Sequence, residues 1–151
     1  MKILVDADSC PKAARELILR RAAKLGLHLI FAANRQIPVA DAPAENLTME
    51  ICPAGDNSAD DRIVELAESG DLAITRDVPL AKRLIERNVM ALDDRGRVFT
   101  MDNINELLSL RNFMVGLADN GMEIARTANY GKKELKSFAD SLDRILTQYL
   151  K

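Results

Sequence analysis

The amino-acid sequence predicts an α/β protein built on a parallel, doubly wound sheet, and three observations support this fold class. Apolar runs of strand length alternate with segments of helical periodicity from residue 2 to residue 92, which is the pattern of parallel α/β proteins. Glycine ends two of the helical segments, as is common for helices. The chain has 151 residues, of which 48% are hydrophobic, so one compact domain with a substantial core is expected.

The first strand and the first helix are followed by a second strand. The strand is the apolar run Lys2–Asp6, which ends in an acidic residue. The helix starts after Pro11, because proline is tolerated at the first helical position, and its apolar residues recur at helical spacing up to Gly26. The run His28–Ala33 predicts the second strand, and the segment Gln36–Asn46, rich in Pro, Ala and Asp, predicts a loop.

The alternation continues through five further elements. Ser58 is placed as the N-cap of the second helix, and Gly70 ends that helix. In chain order, the elements are a strand over Thr48–Cys52, a helix over Ala59–Ser69, a strand over Asp71–Thr75, a helix over Val78–Arg87 and a strand over Val89–Leu92.

The last third of the chain is mainly helical. Val98 and Phe99 predict a small extra strand, and helices are predicted over Ile104–Leu117 and Lys132–Tyr149, with a linker at Ala125–Gly131. The last helix carries an apolar stripe, which fits packing within the chain or a homodimer contact; its members are Leu135, Phe138, Leu142, Ile145, Leu146 and Tyr149. We expect a single domain over residues 1–151, with an α/β core (1–93) and a C-terminal extension of two helices (94–151).

The composition excludes several classes of protein. The formal charge is −2, from 21 basic and 23 acidic residues, so strong non-specific binding of nucleic acid is not expected, although a local basic rim is compatible with this total. No long apolar run predicts a membrane span, and the first residues do not resemble a secretory signal, so a cytoplasmic location is expected. Cys10 and Cys52 lack the spacing of a metal site and are expected to be reduced, structural thiols.

Acidic residues follow three of the predicted strands. Asp6 and Asp8 come at the end of the first strand, and Asp77 follows the fourth. The stretch GDNSADD, after the third strand, contributes Asp56, Asp60 and Asp61. Because the carboxyl ends of parallel strands meet at one edge of a sheet, these carboxylates are expected to lie together. Crowded carboxylates repel one another and need a cation, a proton or water.

A carboxylate cluster without His or Cys favours a hard, oxygen-preferring ion, which predicts Mg²⁺ or Mn²⁺ rather than Zn²⁺. The candidate metal ligands are Asp6, Asp8, Asp56, Asp60 and Asp77. Two ions about 4 Å apart would suit phosphoryl chemistry, while one ion, or none in the resting state, is equally compatible with the sequence. Asp6 is the hardest of these acids to explain structurally, because it ends the strand expected to be most buried.

The other acids also have ordinary structural interpretations. Asp60 and Asp61 fall in the first turn of a helix, where the helix dipole favours acids, and Ser58 with Asp61 resembles a capping pair. An N-cap role suits Asp77 in the third helix and Asp8 in the first, and a turn suits Asp56.

Five stretches of the sequence resemble the YaiI/YqxD family of small bacterial proteins. They are VDADSCP, GDNSADDRIVELA, GDLAITRDVPLA, ALDDRGRVFT and the helix with LRNFM, and they run in the family's order from residue 1 to about residue 115. The stretch SFADSLDRIL is a weaker match. The chain departs from the family between Ile124 and Lys133, where a Gly- and Pro-rich stretch is expected.

The family is similar to PIN domains, which are metal-dependent nucleases. The resemblance implies a PIN-like, three-layer α/β/α fold with a central parallel sheet of four to five strands and additional C-terminal helices. It implies that the catalytic acids are Asp6, Asp60 and Asp77. Asp60 is preferred to Asp61 because Ile63 then completes a D-x-x-I pattern.

Two further features of the PIN pattern can be assigned to this chain. Its T-x-D motif is matched by Thr75, Arg76 and Asp77. Its remaining acid has only substitutes here, namely Glu16, Asp56 or Asp8.

The leading hypothesis is a metal-dependent phosphodiesterase acting on RNA or DNA, with RNA favoured. Mg²⁺ or Mn²⁺ would lower the pKa of a bound water and offset charge on the phosphate. The residues expected to contact substrate are Ser9, Asn34, Thr75 and Arg76. Further arginines, Arg35, Arg62 and Arg95, are candidates for positioning the phosphate backbone.

Two other hypotheses stay open at this stage. DADSC and GDNSAD resemble motifs of haloacid-dehalogenase-type phosphatases, with Asp6 as nucleophile, but no lysine occurs between Lys24 and Lys82, where that chemistry needs one. Alternatively, the acidic edge binds a metal or a nucleotide without turnover, which would make the chain a non-catalytic binding module.

Overall fold

The computed structural model describes residues 1–35, 46–53, 58–121 and 130–149. These residues form six strands and five helices, and their bounds agree closely with the prediction. They are β1 (Lys2–Asp6), α1 (Lys12–Leu25), β2 (His28–Ala33), β3 (Leu47–Ile51), α2 (Ser58–Leu66), β4 (Leu72–Ile74), α3 (Val78–Ile85), β5 (Met90–Leu92), β6 (Val98–Phe99), α4 (Ile104–Asp119) and α5 (Lys132–Tyr149).

The strands form one sheet in the order β3-β2-β1-β4-β5-β6. The pairs among β1 to β5 are all parallel, and β6 runs antiparallel to β5. The predicted α/β class with a parallel sheet is therefore confirmed, with a sixth, antiparallel strand at the edge. Chain order reverses between β1 and β4, and ligands of open α/β sheets bind at the carboxyl ends of strands at such a switch point.

Helices cover both faces of the sheet, which confirms the three-layer architecture. On one face, Ile3 and Val5 share a core with side chains of α1 and α5. On the other, Leu4 packs with side chains of α2 and α3. This alternation follows from the period of two in a strand, and it explains why the apolar run of β1 has no polar position before Asp6.

The two C-terminal helices contact the core in different ways. Ile104 at the start of α4 packs with Ala81 and Phe99, whereas Leu110 and Phe113 on the same helix are exposed. The stripe on α5 is largely buried within the chain, on the face that carries α1; its buried members are Phe138, Leu142, Ile145 and Leu146. A dimer contact is therefore not needed to explain the stripe. Within the described residues, no helix is both long and apolar enough to cross a membrane.

Two predicted boundaries before β4 differ from the structure. The second helix ends at Leu66 instead of Ser69, and the fourth strand begins at Leu72 instead of Asp71. The Asp71 carboxylate accepts hydrogen bonds from the N–H groups of Glu68 (2.9 Å) and Lys2 (3.0 Å). The Asp71 side chain thus binds the N–H of Glu68, which the periodicity assigns to the helix, and this contact competes with a longer α2. Most of the predicted loop at 36–46 and of the linker at 125–131 lies outside the described residues.

Candidate acidic site at the carboxyl edge of the sheet

Asp6 occupies the centre of the candidate site, at the carboxyl end of β1. Only 8% of the residue is exposed. Its Oδ2 atom accepts hydrogen bonds from the hydroxyls of Thr75 (3.0 Å) and Ser9 (3.1 Å). Hydroxyls carry no charge, and no cationic side chain among the described residues pairs with this carboxylate. A buried acid without a cationic partner is costly, so Asp6 is more than a strand ending.

Thr75 connects Asp6 to the next acid along the edge. The N–H of Asp77 donates to Thr75 Oγ1 (3.0 Å), and the same hydroxyl donates to Asp6. Asp77 Oδ1 accepts the N–H of Leu80 (3.1 Å), so Asp77 is the N-cap of α3 as its structural interpretation proposed. Oδ1 of Asp77 thus stabilises the start of the helix.

Asp60 is the third member of the cluster, and the charges of the other acids act on its carboxyl group. Burial, the charges of Asp77 and Asp6 and a hydrogen bond with Asp77 raise the pKa of Asp60 to about 6. Burial also raises the pKa of Asp6, as do the charges of Asp77 and Asp8, against the lowering effect of the Thr75 and Ser9 hydroxyls. The structure thus brings Asp6, Asp60 and Asp77 close enough to influence one another's charge.

Asp8 is linked to the end of β2 instead of the first helix. Its Oδ2 atom accepts the backbone N–H of Asn34 (2.7 Å), and Oδ1 lies 3.6 Å from Arg35 Nε. The N-cap of α1 is Pro11, without a side-chain capping bond, so the structural interpretation of Asp8 as a cap of that helix is wrong.

Asn34 also holds the start of α2 near this edge. The Ser58 hydroxyl lies within hydrogen-bonding distance of Asn34 Oδ1 (3.1 Å) and of the Pro53 carbonyl. Ser58 is the first residue of α2, and the predicted capping pair with Asp61 does not form. Asn34 therefore joins β1, β2 and α2 at the rim of the site, because it contacts Asp8 through its backbone and Ser58 through its side chain.

Other candidates do not join the cluster. Asp61 forms an ion pair with Arg83 (2.9 Å), Glu16 pairs with Lys12 (4.0 Å), and Arg62 binds two glutamates, Glu50 and Glu65. Asp61 and Glu16 therefore have partners outside the cluster around Asp6. Asp56 lies outside the described residues.

Asp94, which was not among the candidate acids, also lies at this edge, after β5. It is 3% exposed, and its Oδ2 atom pairs with Arg76 Nη2. Its Oδ1 atom is buried without a hydrogen-bond partner among the described residues. Cys10 is a free, buried cysteine, and burial and the charge of Asp94 raise the pKa of its thiol to about 12. In the sequence, Asp94 could have been identified as a candidate from the pair Asp93 and Asp94, which follows the last predicted parallel strand.

The donor set of the cluster fits a magnesium-like ion only in part. No group of three or more His, Cys, Asp or Glu side chains in the described ranges is arranged to hold a metal ion. Mg²⁺ is often held by one or two carboxylates, with water and substrate phosphate completing its six ligands. Asp6, Asp60 and Asp77 provide hard oxygen donors whose mutual repulsion a cation would relieve. We therefore regard these acids as sufficient for a partial site and insufficient for a closed cage.

Comparison with known proteins gives consistent matches along the whole chain. The family model described as "Uncharacterized BCR, YaiI/YqxD family" matches residues 4–148. A UPF0178 protein of Treponema denticola is 46% identical over 151 residues, covering 100% of this chain and 95% of the relative. A UPF0178 protein of Pseudomonas aeruginosa is 44% identical over 148 residues, covering 98% and 91%, and one of Vibrio vulnificus is 41% identical over the full length of both chains. The chain belongs to the YaiI/YqxD family.

Proposed function

We propose that the chain is a metal-dependent phosphodiesterase that cleaves nucleic acid, with RNA as the favoured substrate. The observation that carries the proposal is Asp6, a buried carboxylate at the switch point of the sheet. It has hydroxyl donors and acidic neighbours but no cationic partner within the described part of the chain. Such crowding is typical of functional sites, where it is relieved by a ligand.

Asp6, Asp60 and Asp77 would hold Mg²⁺ or Mn²⁺. When bound, such an ion lowers the pKa of a coordinated water and offsets the charge of a phosphate. The Thr75 hydroxyl fixes the orientation of the Asp6 carboxylate and of the Asp77 backbone. Ser9 provides the second donor to Asp6.

Arg76 and Asn34 are the groups proposed to contact the substrate around the acids. Arg76 follows β4 directly, is about half exposed, and is anchored on one side by the buried Asp94 carboxylate. An anchored guanidinium loses little side-chain freedom when it binds a phosphate oxygen. Asn34 is placed at the rim by Asp8 and Ser58. These residues would position the phosphate backbone beside the acids.

The test is Mn²⁺-dependent cleavage of end-labelled single-stranded RNA by the native chain and two variants. Asp6→Asn and Asp77→Asn are expected to lose at least about 100-fold in rate, because each removes a charge on which the metal site depends. Asp61→Asn is the matched control, since Asp61 lies beside Asp60 in sequence but pairs with Arg83. Its rate is expected to stay within about twofold of the native rate, because exposed ion pairs contribute little.

Equal cleavage by the native chain and Asp6→Asn, in preparations free of contaminating nuclease, would refute the proposal. Binding of Mn²⁺ and RNA without cleavage would favour the non-catalytic module instead. The same assay on a DNA strand of identical sequence decides the preference for RNA.

A further inference from the structure

The turn between β5 and β6 and one face of α5 enclose an open cleft of about 450 Å³, called here the arginine cleft. Arg95 and Arg97 line it from the turn, and Arg144 lines it from α5. We propose that the arginine cleft binds the phosphate backbone of a single-stranded nucleic acid, outside the acidic site. The proposal rests on the proposed function for the identity of the strand.

The charge of the cleft favours an anion. Two acids also line it, so three positive and two negative side chains give the lining a net charge of +1. Asp93 Oδ1 accepts the N–H groups of Arg95 (2.9 Å) and Arg97 (2.8 Å), and Asp140 Oδ2 accepts from Lys136 Nζ (2.9 Å). Among the described residues, the guanidinium groups of Arg97 and Arg144 make no hydrogen bond or ion pair. Guanidinium groups bind phosphate through two parallel hydrogen bonds, so phosphate is the anion that this lining suits.

The cleft is built by a close fit between the turn and the helix. Gly96 has a φ of +93°, and a Cβ atom there would lie 2.5 Å from the Ser137 carbonyl oxygen. The Ser141 hydroxyl donates to the Gly96 carbonyl (2.7 Å). The backbone that carries Arg95 and Arg97 is therefore fixed against α5, and the three arginines do not depend on one flexible loop for their arrangement.

The location of the cleft suits a strand that leaves the acidic site. The turn begins where β5 ends, at the edge of the sheet that carries Asp6 and Asp77. β5 is two positions from β1, which corresponds to about 10 Å across the sheet. Arg76 follows β4 and its partner Asp94 follows β5, so this ion pair lies between the acidic site and the arginine cleft. A single strand of several nucleotides can span this distance, and sites for such strands cover about 4–16 nucleotides.

The lining favours recognition of the backbone over recognition of a base. The residues that line the cleft are arginine, aspartate, serine and glycine, with no aromatic side chain among those described. Bases bind to proteins largely by stacking on aromatic rings, whereas phosphates need only charge and hydrogen-bond donors. We therefore expect little dependence on base sequence and a strong dependence on salt.

The test is fluorescence anisotropy with a labelled RNA strand of about 12 nucleotides in EDTA, so that binding is measured without turnover. The double variant Arg97→Gln/Arg144→Gln is expected to weaken binding at least about tenfold, and to reduce the slope of log K against log salt by about 1.4, the value for two lost phosphate contacts. The control Arg20→Gln/Arg111→Gln removes the same charge from α1 and α4 and is expected to bind like the native chain.

The proposal would be overturned if the cleft variant kept the native affinity and salt slope, or if the control were weakened equally. It would also be overturned if the native chain did not bind the RNA strand. The single variant Arg144→Gln changes one side chain on the surface of α5. It is expected to reduce the salt slope by about half as much as the double variant. Lost binding in the cleft variant supports the cleft even where Asp6→Asn has no effect on cleavage. If the cleft variant binds like the native chain and cleavage depends on Asp6, the cleft is excluded as a binding site and the proposed function is unaffected.

Discussion

Asp6 and Asp71 are both buried acids beside the centre of the sheet, but they lie at opposite edges and have different partners. Burial alone would raise the pKa of Asp71, but hydrogen bonds from the Lys2 ammonium, the Lys2 N–H and the Glu68 N–H lower it below its usual range. Among the residues that the structure describes, Asp6 has only the hydroxyls of Thr75 and Ser9 as side-chain donors, and burial raises its pKa. The chain thus satisfies Asp71 as a structural acid and leaves Asp6 available for a ligand.

Thr75 is the residue on which the geometry of the site depends most. Thr75→Val removes a donor to Asp6 and an acceptor of the Asp77 N–H, both inside the protein. The expected loss is about 1–3 kcal/mol in the free energy of unfolding, because buried polar groups lose their partners. Thr75→Ser keeps the hydroxyl and is expected to lose less than about 1.5 kcal/mol. Urea unfolding measures both variants, and equal losses would contradict the role of the hydroxyl.

The repulsion among the acids predicts a pH dependence for the metal-free protein. The pKa of Asp60 is raised from 3.8 to about 6, so between these values the folded chain holds a proton that the unfolded chain has lost. Stability therefore falls as pH rises from about 4 to about 6, and the loss persists above pH 6. Asp60→Asn is expected to raise the Tm by a few degrees at pH 7.5 and to have no effect at pH 4.

Thermal unfolding by circular dichroism at the two pH values provides this measurement. Asp61→Asn is the matched control, because Asp61 pairs with Arg83 outside the cluster. A lower Tm for Asp60→Asn at pH 7.5 would show that the acids are not under mutual repulsion. Added Mn²⁺ is expected to stabilise the native chain more than the variant, since a cation relieves the same repulsion.

Some features of the site were predictable from the sequence, for a physical reason. Asp6 and Asp77 follow parallel strands, and topology alone brings such positions to one edge. The pairing of Arg76 with Asp94 depends on the order of β4 and β5 in the sheet, and the contact of Asp8 with Asn34 depends on the order of β1 and β2. Local sequence does not encode strand order, so these contacts could not be derived from it.

At the scale of elements, the β5–β6 turn is fixed to α5 at a point where only glycine fits. Gly96→Ala places a Cβ atom 2.5 Å from the Ser137 carbonyl oxygen in a residue whose φ is +93°. Gly70→Ala is the matched control, because its φ of +91° is almost the same and no atom lies within 4 Å of the new Cβ. The control isolates the cost of the backbone conformation from the cost of the contact.

We expect Gly70→Ala to lose about 1 kcal/mol in the free energy of unfolding, from backbone strain alone. Gly96→Ala is expected to lose about 1–3 kcal/mol more, because overpacking forces the turn away from the helix. Urea unfolding of the two variants compares them directly. Equal losses would mean that the turn is not held against α5, which would also weaken the argument for the arginine cleft.

The elements themselves were largely predictable, because apolar periodicity and glycine ends are local properties. Gly26 adopts the left-handed conformation at the end of α1, as the sequence pattern suggests. An error arises where a side chain competes for a backbone group. Asp71 is the example, since its carboxylate binds the N–H of Glu68, within the predicted helix, and α2 ends earlier, at Leu66.

At the scale of the whole molecule, α5 is expected to be part of one cooperative unit with the sheet. Phe138 is fully buried in the core beside α1, so Phe138→Ala is expected to lose about 3–5 kcal/mol in the free energy of unfolding. Phe113→Ala on α4 is the matched control, because Phe113 is 62% exposed and its loss is expected within about 0.5 kcal/mol.

Calorimetry and circular dichroism measure these variants and the native chain. A single transition seen by both methods is the expected result for one domain over residues 1–151. Separate transitions, with Phe138→Ala affecting only one of them, would instead divide the chain into two units. The homodimer stays a prediction. The apolar stripe of α5 does not provide its contact surface, because that stripe is largely buried within the chain.

Mn²⁺ soaked into crystals of the native chain at pH 7.5, and located by its anomalous scattering, addresses the acidic site most directly. The expected result is a peak about 2.1 Å from carboxylate oxygens of at least two of Asp6, Asp60 and Asp77, absent from crystals of Asp6→Asn. A native crystal with no peak at this edge, or an unchanged peak in the variant, would contradict a metal site held by Asp6.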